Sequence, residues 1–326
     1  MRALVTGAAG FVGRHLTTHL KEEGHDVFGL VHPSEESDRP SGIHVTAADL
    51  LDDAALAKAV HDVGPEVIFH LAAFSNPESS LRYARLTFET NFLGTQNLLE
   101  AAKDTGQNPR ILLIGSCQQY GQVAESEQPI GEDRPQRPLT PYAVSKASQE
   151  LLGQRYFLSE GSAVFWTRSF NHTGPGQADS YVCSSFARQV AEIEALGRES
   201  EILVGNLTAR RDFTDVRDVA RAYTAIIERG EPGRAYNVCG GDAVVIQEIL
   251  DVLVSLATVR VEVKVDPERY HALDAPLIVG DAARLRDEIG VSPRYSLKET
   301  LEDLLNDWRQ RLAAEKKEME EPKETS

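Results

Sequence analysis

Residues 3–13 read Ala3-Leu4-Val5-Thr6-Gly7-Ala8-Ala9-Gly10-Phe11-Val12-Gly13. A short apolar run enters a turn with three glycines, and a helix-period stretch follows from there to about residue 23. A dinucleotide pyrophosphate needs backbone N–H groups at a helix N-terminus and a backbone with no Cβ in the way, and glycines at a tight turn supply both. The spacing here is Gly-x-x-Gly-x-x-Gly. Gly7, Gly10, Phe11, Val12 and Gly13 are therefore the candidate cofactor loop, and the turn predicts a nucleotide-binding sheet that starts at the N-terminus.

Working outward, apolar runs at residues 26–31, 43–45, 66–71 and 110–115 read as strands. Helix-period stretches at 53–63 and, as one long helix, 81–105 lie between them. This βαβ alternation with nearly continuous apolar strands predicts a doubly wound α/β fold of Rossmann type, its parallel sheet covered on both faces. Further helices are expected at 142–159, 182–196, 218–228 and 246–256, and strands at 163–169 and 235–238. The domain reading is a nucleotide-binding domain over 1–170, with parts of about 210–240 returning to it. A mainly substrate-binding α/β domain follows over 171–312, and a charged tail, expected to be disordered, over 313–326.

The chain has 326 residues, 41% of them hydrophobic, enough for sizeable cores. Fifty acidic against 34 basic residues give a formal charge of −16, which argues against nucleic acid or an anionic membrane as the main partner. Three scattered cysteines form neither a disulfide framework nor a metal-ligand cluster, so no metal is expected and the compartment is read as cytoplasmic. His15 and His19 form an i, i+4 pair without a third ligand and read as helix-surface residues. His70, at the end of a buried strand, reads as a satisfied structural histidine.

The second strand ends Leu30-Val31-His32-Pro33-Ser34, with no acid placed for the ribose hydroxyls. His32, Ser34 and Arg39 favour a 2′-phosphate, so NADP is expected ahead of NAD. Asp49 and Leu50 are placed for the adenine edge. The small residues of Leu71-Ala72-Ala73 let the cofactor pass close to the sheet.

Tyr142-Ala143-Val144-Ser145-Lys146 opens a helix after Pro141, with the phenol and the ammonium on one face. A phenol is too weak an acid to ionise at neutral pH, and a neighbouring ammonium favours the phenolate. Tyr142 then exchanges a proton with a substrate oxygen while Lys146 also holds the nicotinamide ribose. Ser116, at the carboxyl end of the fifth strand, is the expected third member of the catalytic set.

Together with Asn91-Phe92-Leu93-Gly94-Thr95, Asn171-His172-Thr173-Gly174-Pro175-Gly176-Gln177, Arg210-Arg211-Asp212-Phe213-Thr214-Asp215 and Tyr236-Asn237-Val238-Cys239-Gly240-Gly241, these residues resemble the extended short-chain dehydrogenase/reductases. The branch is that of nucleotide-sugar enzymes, and the segment through Gln177 looks most like GDP-6-deoxy-4-keto-D-mannose reductases. The resemblance implies an NADP- or NAD-dependent enzyme with a GDP-linked sugar substrate and a homodimer built on the long helices. It implies that Asn91 contacts the cofactor and that Ser116, Gln118, Asn171, Gln177, Arg211 and His271 contact the substrate. Dehydratases of this branch carry an acid where Gln118 stands, which implies reduction without elimination. His271-Ala272 replaces a usual Arg-Pro. The alternatives on the same residues are an NDP-sugar 4-epimerase with tightly held NAD and a non-catalytic dinucleotide-sensing regulator.

Overall fold

The computed structural model describes residues 1–197, 200–266 and 275–320. They form two compact units: 1–170 with 217–241 and 280–292, and 171–216 with 242–279 and 293–326. The stretch returning to the first unit thus begins at Arg217 rather than near 210, and 280–292 joins it without any signature in the sequence.

The first unit holds seven strands, all paired in parallel. In chain order they are β1 (Arg2–Thr6), β2 (Asp26–Val31), β3 (His44–Ala47), β4 (Val67–His70), β5 (Arg110–Ser116), β6 (Val164–Ser169) and the strand Ala235–Val238. Across the sheet the order is Ala235–Val238, β6, β5, β4, β1, β2, β3. The chain starts at the centre, builds to one edge, then returns and builds to the other, so the order reverses between β1 and β4. Ligands of such sheets sit outside the carboxyl ends of the strands at that reversal. Here it is bounded by Thr6 and His70, which are directly paired.

The strands are apolar throughout because both faces are covered. Ala3, Val5, Val27, Val67 and Phe69 enter one core with Leu16 and Leu20 of the helix α1 (Phe11–Glu22) and Tyr223 and Ile226 of the helix Val216–Arg229. Leu4, Leu30, Ile68, Ile111 and Leu113 point the other way, toward Leu56 and Val60 of α2 (Asp53–Val63) and Leu98 and Leu99 further on. Alternate residues feed opposite cores, as the pleat requires.

The long helix expected over 81–105 is broken. It resolves into α3 (Pro77–Arg82), α4 (Ala84–Phe88), a π-helical turn at Glu89–Leu93, and α5 (Gly94–Asp104). The π turn contains Asn91, whose side chain is pulled into contacts outside the helix, described below. The helix α6 (Pro141–Glu160) starts where Thr140 Oγ1 accepts from Ala143 N at 3.1 Å and Pro141 takes the first helical position.

In the second unit the strand Arg210–Asp215 pairs with Ala243–Val245, Leu277–Ile278 and Asn171–Thr173, and Ser200–Val204 pairs with Val261–Val265. Its core joins Phe186 and Val190, Ile249 and Leu253, and Leu301, Leu305 and Trp308. The last helix runs Leu297–Glu320, so the charged segment from 313 is helical to that point rather than disordered. Leu301, Leu305 and Trp308 anchor the helix, and Ala313, Ala314 and the Lys/Glu run beyond are good helix formers that continue it.

Candidate active site

The glycine turn lies at the β1/β4 reversal. Gly7 has φ +67°, and a Cβ there would stand 2.9 Å from the backbone nitrogen of Ala72. A Cβ on Gly13 would collide with the Gly7 carbonyl and stand 2.9 Å from Ala8 Cα. The first glycine thus admits close approach of the β4 exit, and the third lets α1 begin directly beneath the loop. Gly10 caps α1, leaving its first turn, Phe11, Val12 and Gly13, facing the reversal. This is a cradle shaped for a pyrophosphate.

Behind it runs a buried polar chain. Ala72 N donates to Thr6 Oγ1 at 3.1 Å, Thr6 Oγ1 meets His70 Nδ1 at 2.9 Å, His70 Nε2 meets Thr95 Oγ1 at 2.9 Å, and Thr95 Oγ1 donates to the Asn91 carbonyl at 2.6 Å. Each hydroxyl has one proton, so the directions follow: Thr6 donates to Nδ1, and Nε2–H donates to Thr95. His70 is neutral, as burial and then the Lys146 charge hold it down to about 3. It ties the residues after β4 to the π turn. Asn91 extends the tie, accepting from Phe74 N at 2.7 Å and donating to Phe74 O at 3.1 Å and Ser145 Oγ at 2.9 Å. Its amide is engaged by protein, so it ties the segment after β4, at Phe74, to the first turns of α6. Asn91, expected to contact the cofactor, thus has its side-chain amide bonded to Phe74 and Ser145.

At the end of β2, His32 is occupied locally: Nδ1 accepts from Ser34 N at 3.2 Å, and Nε2 faces Asp49 Oδ2 at 3.6 Å. Arg39 pairs with Glu36. A different cation stands between the glycine turn and the turn after β2. Arg14 donates from Nε to Ala9 O at 2.8 Å and from Nη2 to Asp38 O at 2.7 Å. Nothing in the spacing singled it out, although it directly follows the third glycine. Asp49 Oδ1 accepts from Leu51 N, and Leu50 is buried against Gly94.

Two of the catalytic candidates, Lys146 and Ser116, lie at the carboxyl end of β5. Lys146 is 3% exposed, and its Nζ donates to Ile114 O at 2.7 Å and Gln149 Oε1 at 3.0 Å. Burial brings its ammonium down to about 7. Tyr142 lies one turn earlier on α6, its N–H donating to Ser80 Oγ at 3.1 Å. Ser116 ends β5, two residues beyond Ile114, with Oγ accepting from Gln118 N at 3.2 Å. Gln118 is half-buried.

A buried ion pair fixes this end of the sheet. Glu150, one turn past Lys146, accepts from Arg168 Nη2 at 2.6 Å and Nε at 3.0 Å, from Gln119 Nε2 at 2.8 Å, and from Gln136 Nε2 at 2.7 Å. The carboxylate outweighs burial, so the Arg168 guanidinium is held above its ordinary range. Gln119 Oε1 in turn accepts from Ser116 N at 2.8 Å. The ion pair therefore reaches the Ser116 backbone through one side chain. Arg168 and the two glutamines were not foreseen, because their partners are distant in sequence.

In the second unit, Asn171 and Arg211 are half-buried, with Arg211 Nη1 donating to Arg210 O at 2.9 Å. Gln177 is 3% exposed; it accepts from Thr173 Oγ1 at 2.6 Å and donates to His172 O at 2.9 Å. Its amide thereby ties the glycine-rich loop to Thr173 and His172. His271 lies outside the described residues. His19 is half-buried in α1, with burial lowering its imidazole, and among the described residues no His/Cys/Asp/Glu cluster suits a metal.

The model of the GDP-mannose 4,6 dehydratase family matches residues 4–304. The GDP-6-deoxy-D-mannose reductase of Pseudomonas aeruginosa is 37% identical, over 96% of this chain and 99% of that one. This chain belongs to the GDP-mannose 4,6 dehydratase family. That family places it in the nucleotide-sugar branch of the extended short-chain dehydrogenase/reductases, as its sequence suggested. Among solved structures, RMD from Pseudomonas aeruginosa complexed with NADPH is 35% identical with a TM-score of 0.85, covering 95% of this chain and all of that one. A UDP-glucose 4-epimerase from Thermus thermophilus in complex with NAD is 29% identical with a TM-score of 0.84, covering 95% and 99%. The chain is thus similar to proteins whose names span reductases, dehydratases and epimerases. No described helix is long and apolar enough to cross a membrane.

Proposed function

We propose that this chain reduces the C4 ketone of a nucleotide-activated 6-deoxy-4-keto-hexose, converting GDP-6-deoxy-4-keto-D-mannose to GDP-D-rhamnose. The observation that carries the reading is the buried Lys146 ammonium, fixed at the Ser116 end of β5 one turn from Tyr142, with Gln118 rather than a carboxyl beside Ser116. The similarity to a GDP-6-deoxy-D-mannose reductase over nearly its full length supports the same choice. The glycine cradle fits a dinucleotide, held by Gly7, Gly10 and the first turn of α1. Bound there, a reduced nicotinamide supplies the hydride.

The remaining steps belong to the protein. Ser116 donates a hydrogen bond to the ketone oxygen and Tyr142 delivers the proton as that oxygen gains charge. Lys146 makes the phenol more acidic and holds the nicotinamide ribose. Gln118 has no proton to exchange at neutral pH, so no water is eliminated. Arg14 offers a cation to a 2′-phosphate, which favours NADP over NAD. The partner in solution is a second copy, in the cytoplasm. Leu81 is 62% exposed, Leu151 60% and Leu158 78%, on helices α3 and α6 that pack side by side. A two-fold axis lets this apolar face cover itself.

The test is to supply purified protein with NADPH and GDP-6-deoxy-4-keto-D-mannose. The expected result is loss of reduced nicotinamide in step with GDP-D-rhamnose formation. Interconversion of 4-epimers with no net cofactor consumption overturns the reading. Arg14→Met is expected to raise KM for NADPH about tenfold while changing KM for NADH little, the loss of one charge-assisted contact.

A further inference from the structure

Lys146 has three N–H bonds, and the protein takes two of them, one by Ile114 O and one by Gln149 Oε1. The carbonyl fixes the ammonium against the sheet. Gln149 is 1% exposed and poorly served, since its buried Nε2 has no hydrogen-bond partner. An amide left that way destabilises the fold, and a leucine in the same space carries no such penalty. Among the described residues, its polar contact is with Lys146 alone.

We propose that Gln149 is a positioning residue for the hydride-transfer reaction, its side-chain oxygen fixing the direction and charge of the Lys146 ammonium so that the third N–H points to the ligand. The consequence for turnover rests on the reductase reading; the contact itself does not. An acceptor dipole at Nζ favours ammonium over amine. The Ile114 carbonyl does the same from the sheet, and among the described residues Gln149 is the one side chain that bonds Lys146 Nζ. Tyr142 shares its face of α6, His70 is locked neutral between Thr6 and Thr95, and Cys117, next to Ser116, is a buried thiol. Glu150 is taken by Arg168, Gln119 and Gln136. On the helices packed against α6, Arg85 pairs with Glu89, Lys103 pairs with Glu160, Glu100 accepts from Tyr156, Arg82 lies over Tyr83, and Glu78 is exposed.

The experiment follows the Lys146 signal by NMR through a pH titration, in full-length protein labelled at lysine Cε. The signal is assigned by its absence in Lys146→Met. Gln149→Leu is expected to lower the midpoint by about one pH unit and Gln149→Glu to raise it by a similar amount. Gln149→Met, close in volume to glutamine, must reproduce the leucine result. In the same variants the alkaline limb of kcat/KM for NADPH-dependent ketone reduction moves in the same two directions, a pattern that loss of packing does not produce. Midpoints that stay at the wild-type value, or that move the same way in both variants, overturn the proposal. If the midpoints move as stated while wild-type protein reduces no ketone, the reaction assigned above fails and the role of Gln149 at Lys146 stands.

Discussion

Lys146 is kept where water cannot reach it, and its value of about 7 measures the strain. An unfolded lysine holds its proton to about pH 10.4. The folded value is lower, so the unfolded chain binds more protons between the two. The penalty is full below pH 7 and shrinks as pH rises toward the unfolded value. Removing the charge therefore stabilises the fold. At neutral pH, Lys146→Met is expected to be more stable by about 2 kcal/mol after the acceptors at Ile114 and Gln149 lose their donor, with turnover down at least about a hundredfold. Denaturant titrations at pH 7 and pH 10 check this; an equal gain at both sinks the argument. At this scale the sequence spoke clearly for Tyr142 and Lys146, because both lie on one local face. It was silent on Gln149, whose meaning depends on where the ammonium bends, and it read His70 as satisfied without naming Thr6 and Thr95, which stand on two other elements.

Among the elements, the strands were legible because two-sided burial writes itself as unbroken apolar runs, as in Ile111, Leu112 and Leu113. The helix break near Asn91 was not. The residues keep a helical period across it, and the side chain that the π turn presents bonds outside the helix, to Phe74 and to Ser145, 54 residues away. The link between β6 and α6 is of the same non-local kind. Glu150 and Arg168 are 2% and 7% exposed on their side chains and mutually compensated. Glu150→Gln leaves a buried guanidinium uncompensated and is expected to cost about 3–5 kcal/mol, whereas Glu150→Leu with Arg168→Met recovers most of that. Urea titrations of the single and double variants measure the coupling, and additive losses would contradict it. Because Gln119 connects the pair to Ser116 N, the single variant also lowers kcat more than it raises KM.

For the molecule as a whole, the apolar face of α3 and α6 makes association the expected state. Leu151→Glu with Leu158→Glu is predicted to give a monomer by sedimentation, its secondary structure by circular dichroism unchanged; a dimer that persists removes this face from consideration. The first unit is assembled from three separated stretches: its sheet takes strands from the first two, with the edge strand at Ala235–Val238, and Gly280–Ser292 closes the unit without adding a strand. Domains usually fold as they leave the ribosome, N-terminal part first. This one has no complete form to adopt at that stage. Its parallel sheet keeps an open edge at β6 from Ser169 until the strand Ala235–Val238 has been made, and the unit still waits for 280–292 after that. Slowing translation between Ser169 and Ser292, rather than before it, is where yield of folded protein is most exposed.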